Sequence, residues 1–232
     1  MPNIGGAVAR RPIHFIFIID TSGSMTGQKV AALNEAINEA IPHMRSVAEQ
    51  NPFAELLIRA VAFSTGARWL IANPMPVDQF VWMSVDAGGV TDLGHALKLV
   101  AAEMTVERMG SRALPPVLVL ISDGQPTDDF EGGLAMLMHE PWAKKAVRLS
   151  IAIGNDADHS TLTSFIGNSE IPVLQANNPE QLVASIKWAS TVVVEASMRP
   201  SSQSANHATT GNVPVPLPVT HDQAVSEAHD VF

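Results

Sequence analysis

The stretch Ile13-His14-Phe15-Ile16-Phe17-Ile18-Ile19 narrows the choice of folds more than any other part of this chain. Its residues are almost all β-branched or aromatic, and polar and apolar positions do not alternate as they do in a half-exposed strand. The stretch therefore reads as a strand buried on both faces. Such a strand belongs in the middle of a sheet with helices above and below it. It stops at Asp20-Thr21-Ser22-Gly23-Ser24, a polar loop placed where the end of a buried strand meets solvent.

The rest of the chain alternates in the same manner. Residues 27–50 carry Val30, Leu33, Ile37, Ile41 and Met44 at helical spacing, with Pro42 expected to kink the helix. Residues 54–63 read as a second strand, 64–66 as a turn, 67–71 as a strand pairing back, and 73–78 as a proline-rich connection. Helices are expected at 92–108, 129–145, 160–166 and 179–194, and strands at 117–121, 147–153 and 171–174. The alternation implies an α/β fold: a doubly wound, mainly parallel sheet with one antiparallel edge strand and helices on both faces. Residues 1–12 are expected to be a flexible lead, 13–196 one domain, and 197–232 a mobile low-complexity tail with the run Pro214-Val215-Pro216-Leu217-Pro218.

Three polar segments follow strands or begin helices: Asp20-Thr21-Ser22-Gly23-Ser24, Gly88-Gly89-Val90-Thr91-Asp92 and Ser122-Asp123-Gly124. In an open parallel sheet the C-terminal strand ends form the binding crevice, so the three should converge. Among their side chains, Asp20 and Asp123 with Ser22, Ser24 and Thr91 offer two carboxylates and three hydroxyls without imidazole or thiolate, a donor set suited to a hard divalent cation. Mg²⁺ is the expected ion, with Mn²⁺ or Ca²⁺ as alternatives. Gly23 lets the loop fold tightly enough for Ser22 and Ser24 to face one point. Asp92 is expected to cap the helix after it and not to bind metal.

The run from Phe15 to Met25 resembles the opening of a von Willebrand factor A domain. The runs Ala87-Gly88-Gly89-Val90-Thr91-Asp92-Leu93-Gly94 and Val119-Leu120-Ile121-Ser122-Asp123-Gly124-Gln125-Pro126-Thr127-Asp128-Asp129 resemble the TerY group of bacterial tellurium-resistance and stress-response proteins within that superfamily. The resemblance spans roughly residues 12–196. It implies that Asp20, Ser22, Ser24, Thr91 and Asp123 are the ligands of a metal-ion-dependent adhesion site (MIDAS). It also implies partners, since such proteins are commonly encoded beside a PP2C-type phosphatase and a Ser/Thr kinase.

Composition limits the function classes. A formal net charge of −9 disfavours nucleic acid as a partner. The absence of cysteine excludes thiol catalysis and thiolate–zinc sites. No signal peptide and no stretch long enough to span a membrane are evident, which suggests a cytoplasmic protein. Gly89 to Gly94 has the spacing of a phosphate loop, but His95 follows where lysine is required. No Gly-x-Ser-x-Gly elbow occurs, and His139-Glu140 is not extended to a zinc motif. The expected function is a metal-dependent, non-enzymatic protein-binding module. A partner's Asp or Glu reaches the cation, and Gln125, Asp128 and Asp129 form the partner-binding rim. The alternative is a metal-assisted hydrolase or phosphatase. It is disfavoured because the loops show no separate general base and no lysine or arginine to hold a phosphoryl group.

Overall fold

Six strands form one sheet in the order β3-β2-β1-β4-β5-β6 in the computed structural model, which describes residues 10–198. β1 (Arg11–Asp20) lies in the middle and runs parallel to β2 (Ala54–Ser64) on one side and β4 (Val117–Ser122) on the other. β5 (Val147–Ile153) and the short β6 (Leu174–Ala176) continue the parallel run beyond β4. β3 (Gly66–Pro76) returns antiparallel along β2 and forms one edge. The chain thus winds outward from β1 in one direction and then in the other, as the alternation of elements predicts.

Because side chains alternate across a strand, β1 feeds two cores at once. Ile13, Phe15, Phe17 and Ile19 join one core, and Ile16 and Ile18 join the other. The helices are α1 (Gln28–Gln50), α2 (Leu93–Ala101), the single turn α3 (Val106–Met109), α4 (Phe130–His139), α5 (His159–Ile166) and α6 (Pro179–Met198). α1 and α6 lie side by side over the Phe15 face. The other helices cover the Ile16 face. Phe15 and Phe17 meet edge to face with ring centroids 4.8 Å apart. Each fully buried ring stabilises the fold by roughly 1.5–3 kcal/mol. Where α2 meets α4 the backbones nearly touch, and a Cβ on Gly133 would lie 2.5 Å from the carbonyl oxygen of Gly94.

Several elements differ from expectation for local reasons. α1 runs unbroken through Pro42, which is exposed, so the carbonyl that loses its donor can bond to water. β3 extends to Pro76 through the stretch expected to be a connection; an edge strand tolerates proline, since one row of its N–H groups has no ladder partner. The helix expected at 92–108 divides after Ala101. Thr105, in extended conformation, caps the new turn by accepting from Arg108 N, and Glu103 in the break binds Arg59. The helix expected to reach 145 stops at His139, because Glu140 precedes Pro141 and is extended. The strand expected at 171–174 forms at Leu174–Ala176 instead, beyond Pro172. β1 begins at Arg11 and α6 reaches Met198. The remainder of the expected lead and tail lies outside the described residues.

The Ile16 face also holds a polar cluster away from the polar loops. Arg59, only 3% exposed, donates to Glu103 Oε2 at 3.1 Å and to the Ala72 carbonyl at 2.5 Å, and lies 4.3 Å over the Trp69 ring. His14, also 3% exposed, lies within the field of Arg59 and Glu103. Burial first, and then the Arg59 charge, lower its pKa to about 4, against a smaller opposing pull from Glu103. His14 is therefore neutral in the fold, while the unfolded chain takes up its proton near the ordinary histidine value. Stability is complete above that value and falls as pH drops toward 4. We expect this linkage to remove about 2 kcal/mol between pH 8 and pH 5. Urea titrations at both pH values should show a smaller loss in His14→Leu by that amount; equal losses in the two proteins would place the titration elsewhere.

Candidate functional site

The site forms where the winding reverses, between the C-terminal ends of β1 and β4. Asp20 ends β1 and has no exposed surface. One of its oxygens accepts from Ser22 N at 2.8 Å, and the other accepts from Ser122 Oγ at 2.5 Å. The next loop residues rise from this base. Ser22 Oγ lies 3.0 Å from Ser24 Oγ, and Ser24 Oγ donates to Asp123 Oδ1 at 2.7 Å. Gly23 N donates to Gly89 O at 3.0 Å, and a Cβ there would lie 3.2 Å from that oxygen, so a side chain would crowd the two loops apart.

Thr91 comes from the third loop, pinned by its own network. Its N–H donates to Thr127 Oγ1, whose hydroxyl donates to Asp92 Oδ1, each at 3.0 Å. A Cβ placed on Gly124 would lie 3.6 Å from both Ser24 Oγ and Thr91 Oγ1, so these hydroxyls converge above Gly124. Four of the five expected ligands, Asp20, Ser22, Thr91 and Asp123, are buried, and Ser24 is exposed. The fold thus brings together all five residues.

The electrostatics follow from burial. Loss of solvent pushes the Asp20 carboxyl above its ordinary value; hydrogen bonds from Ser122 and Ser22 pull it back, and Asp123 pushes it further up. A fixed cation already balances part of this charge. Lys29, on the first turn of α1, donates to Asp123 Oδ2 at 2.6 Å and to Asp156 Oδ1 at 3.3 Å. Burial works against its ammonium, but the two carboxylates outweigh burial and hold its pKa above the ordinary lysine value. The expectation that no lysine stands beside the loops is thereby corrected: ninety-four positions separate Lys29 from Asp123 in sequence, and only the fold joins them.

The donor set fits a small hard dication. In an octahedral shell with metal–oxygen bonds of 2.0–2.1 Å, neighbouring oxygens lie about 2.9 Å apart. The Ser22–Ser24 and Ser24–Asp123 separations of 3.0 and 2.7 Å bracket that value. Among the described residues no group of three or more His, Cys, Asp or Glu could hold a metal. The candidate site has only two such side chains, Asp20 and Asp123, and its other oxygens are hydroxyls.

The acidic residues around the crevice mostly serve the backbone. Asp92 occupies the N-cap position of α2 but makes no cap bond with it; its carboxylate accepts from Gly66 N at 2.7 Å and from Thr127. Asp128 supplies the cap from another loop, accepting from Gly94 N and His95 N at 2.8 Å each. Asp129 caps α4 through Gly132 N and stays 70% exposed. Gln125 is exposed at the rim. Ser122, Thr127 and Lys29 escaped the sequence reading. Ser122 and Thr127 stood inside a motif already singled out, whereas nothing near Lys29 marked it.

The von Willebrand factor type A domain family pattern matches residues 15–189. No curated relative matches the chain. Among solved structures, a von Willebrand factor type A protein from Catenulispora acidiphila superposes with TM-score 0.61 at 18% identity, over 78% of this chain and 42% of that one. The ArnB paralog VWA2 from Sulfolobus acidocaldarius gives 0.56 at 20% identity, over 76% and 44%. The pilus adhesin SpaC from Lactobacillus rhamnosus GG gives 0.63 at 9% identity, over 81% and 31%. The chain spans less than half the length of each, and identities this low establish the fold alone.

Removing the Asp128 carboxylate leaves two helix N–H groups of α2 without acceptors beside the site. Asp128→Ala should therefore cost about 1–2 kcal/mol in chemical denaturation. Asp129→Ala, which loses a cap on an exposed turn, should cost no more than about 1 kcal/mol. A neutral Asp128→Ala would mean that water replaces the cap without penalty.

Proposed function

The chain belongs to the von Willebrand factor type A domain family, and on that premise we propose that it is a metal-dependent protein-binding module. The observation carrying this reading is the run of oxygens from Ser22 through Ser24 to Asp123, spaced at 3.0 and 2.7 Å over a buried Asp20. Asp20, Ser22, Ser24, Thr91 and Asp123 would hold Mg²⁺, with Asp20 also fixing the Ser22 backbone from below and Mn²⁺ or Ca²⁺ as other occupants. A bound dication supplies a Lewis-acidic position to which a partner's Asp or Glu carboxylate can bind.

The protein's own residues do the rest. Asp20 and Ser122 keep the Ser22 loop in place, and Thr127 holds the Thr91 backbone through its N–H. Gln125 and the exposed Asp129 stand at the rim, where they select the partner; Asp128 supports them by capping α2. The acidic rim favours a partner with basic residues around one acid. The likeness to the TerY group suggests a place in a cytoplasmic tellurium-resistance or stress-response system, with a PP2C-type phosphatase or Ser/Thr kinase as the first partners to test. No helix among the described residues is long and apolar enough to cross a membrane.

The reading as a hydrolase gains nothing from Lys29. Its ammonium is taken by two carboxylates, and among the described residues the hydrogen bonds of the crevice bring in no further group in the role of a general base. The protein is therefore proposed to be a binder and not an enzyme.

Mg²⁺ should raise the melting temperature relative to EDTA, since at a hundredfold excess over Kd binding contributes about 2.7 kcal/mol. Asp20→Ala and Thr91→Ala should remain folded and lose most of that rise. A pull-down from the native cell, with Mg²⁺ and with EDTA, should retain a partner on wild type only in Mg²⁺, and none on Asp20→Ala. A partner held equally by Asp20→Ala would remove the metal from the interface.

A further inference from the structure

Lys29 stands where local preference disfavours it. It lies in the first turn of α1, a turn with no acidic residue, and the positive end of a helix dipole repels a cation there. Its side chain is only 11% exposed, and the Asp123 side chain it meets is fully buried. Three separate elements build this contact: the start of α1, the loop after β4 and the loop after β5, which brings Asp156. Residues that break a local rule yet are held by several elements commonly serve a site.

The two oxygens of Asp123 divide their work. Oδ1 accepts from Ser24 within the row of candidate metal donors, and Oδ2 accepts from Lys29 on the outer side. The ammonium thus touches the group that a dication would also touch, without standing in the row of hydroxyls. Two buried carboxylates close together repel each other, and Lys29 is the cation that relieves them when no metal is bound.

Resting on the reading of this site as one for Mg²⁺, we propose that Lys29 is a tethered counter-cation that sets its metal affinity and charge. With no dication present it neutralises Asp123 and holds it in position. When a dication binds, the same ammonium repels it, so the site loads more weakly than its oxygens alone would allow. Asp20 and Asp123 together only balance a dication, so Lys29 leaves the loaded crevice with a surplus positive charge. Asp156, whose side chain is 74% exposed, is screened by solvent and offsets little of this. The residue that weakens the metal therefore favours an incoming carboxylate.

Calorimetric titration of the full chain with MgCl₂ tests this, comparing wild type with Lys29→Met, Lys29→Gln, Lys29→Arg and Asp20→Ala. Lys29→Met should bind Mg²⁺ about tenfold more tightly or better, from removal of a like charge next to the site. Lys29→Gln keeps a hydrogen-bond donor for Asp123 without the charge and should tighten similarly, whereas Lys29→Arg should stay within about threefold of wild type. In EDTA the two neutral variants should melt below wild type, and Mg²⁺ should close that gap. A purely structural lysine would lower the melting temperature without tightening Mg²⁺. If wild type binds Mg²⁺ through Asp20 and both neutral variants bind no more tightly, the role of Lys29 is overturned and the metal site stands. If neither wild type nor the neutral variants bind Mg²⁺, the inference and the reading it rests on fall together.

Discussion

A carboxylate with no exposed surface sits at the end of the central strand, and much of the crevice is arranged to accommodate it. Burying Asp20 without partners would cost several kcal/mol. The chain provides Ser22 N on one side and Ser122 Oγ on the other, and those two bonds tie the loop after β1 to the end of β4. Ser24 then reaches Asp123, and Asp123 reaches Lys29. What begins as the solvation of one buried acid ends as a network joining β1, β4, α1 and the loop after β5.

The sheet makes that network feasible. β1 is flanked on both sides by parallel neighbours, so its C-terminal end lies beside the C-terminal end of β4, where the direction of winding changes. Two apolar cores fed by alternate residues of the same strand hold the end in place. The loops of the site are short and mounted on the central strand, an arrangement that keeps their hydroxyls close to each other.

Acidic residues around the crevice divide into two kinds that look alike in one dimension. Asp20 and Asp123 point into the crevice. Asp92, Asp128 and Asp129 satisfy backbone N–H groups at a hairpin turn and at the starts of α2 and α4. Capping from a neighbouring loop, as Asp128 does for α2, locks one loop of the site to another. Loop positioning and helix capping here are one interaction.

Periodicity and residue type determined a good deal. The nearly continuous apolar run of β1, the strand–helix alternation and the three oxygen-rich segments suffice to expect a doubly wound sheet and a convergence of Asp20, Ser22, Ser24, Thr91 and Asp123. Each of those signals is local: burial on both faces shows as a continuous apolar run, and a strand's C-terminal loop lies next to it in the chain. The tertiary structure decided the pairings between residues far apart in sequence. It joined Lys29 to Asp123 and Asp128 to α2, broke the helix after Ala101 so that Glu103 could meet Arg59, and carried β3 through two prolines at an exposed edge. A lysine in a first turn or an aspartate in a loop has no local pattern that names its partner; its partner is whichever group the packed sheet and helices bring within hydrogen-bonding distance.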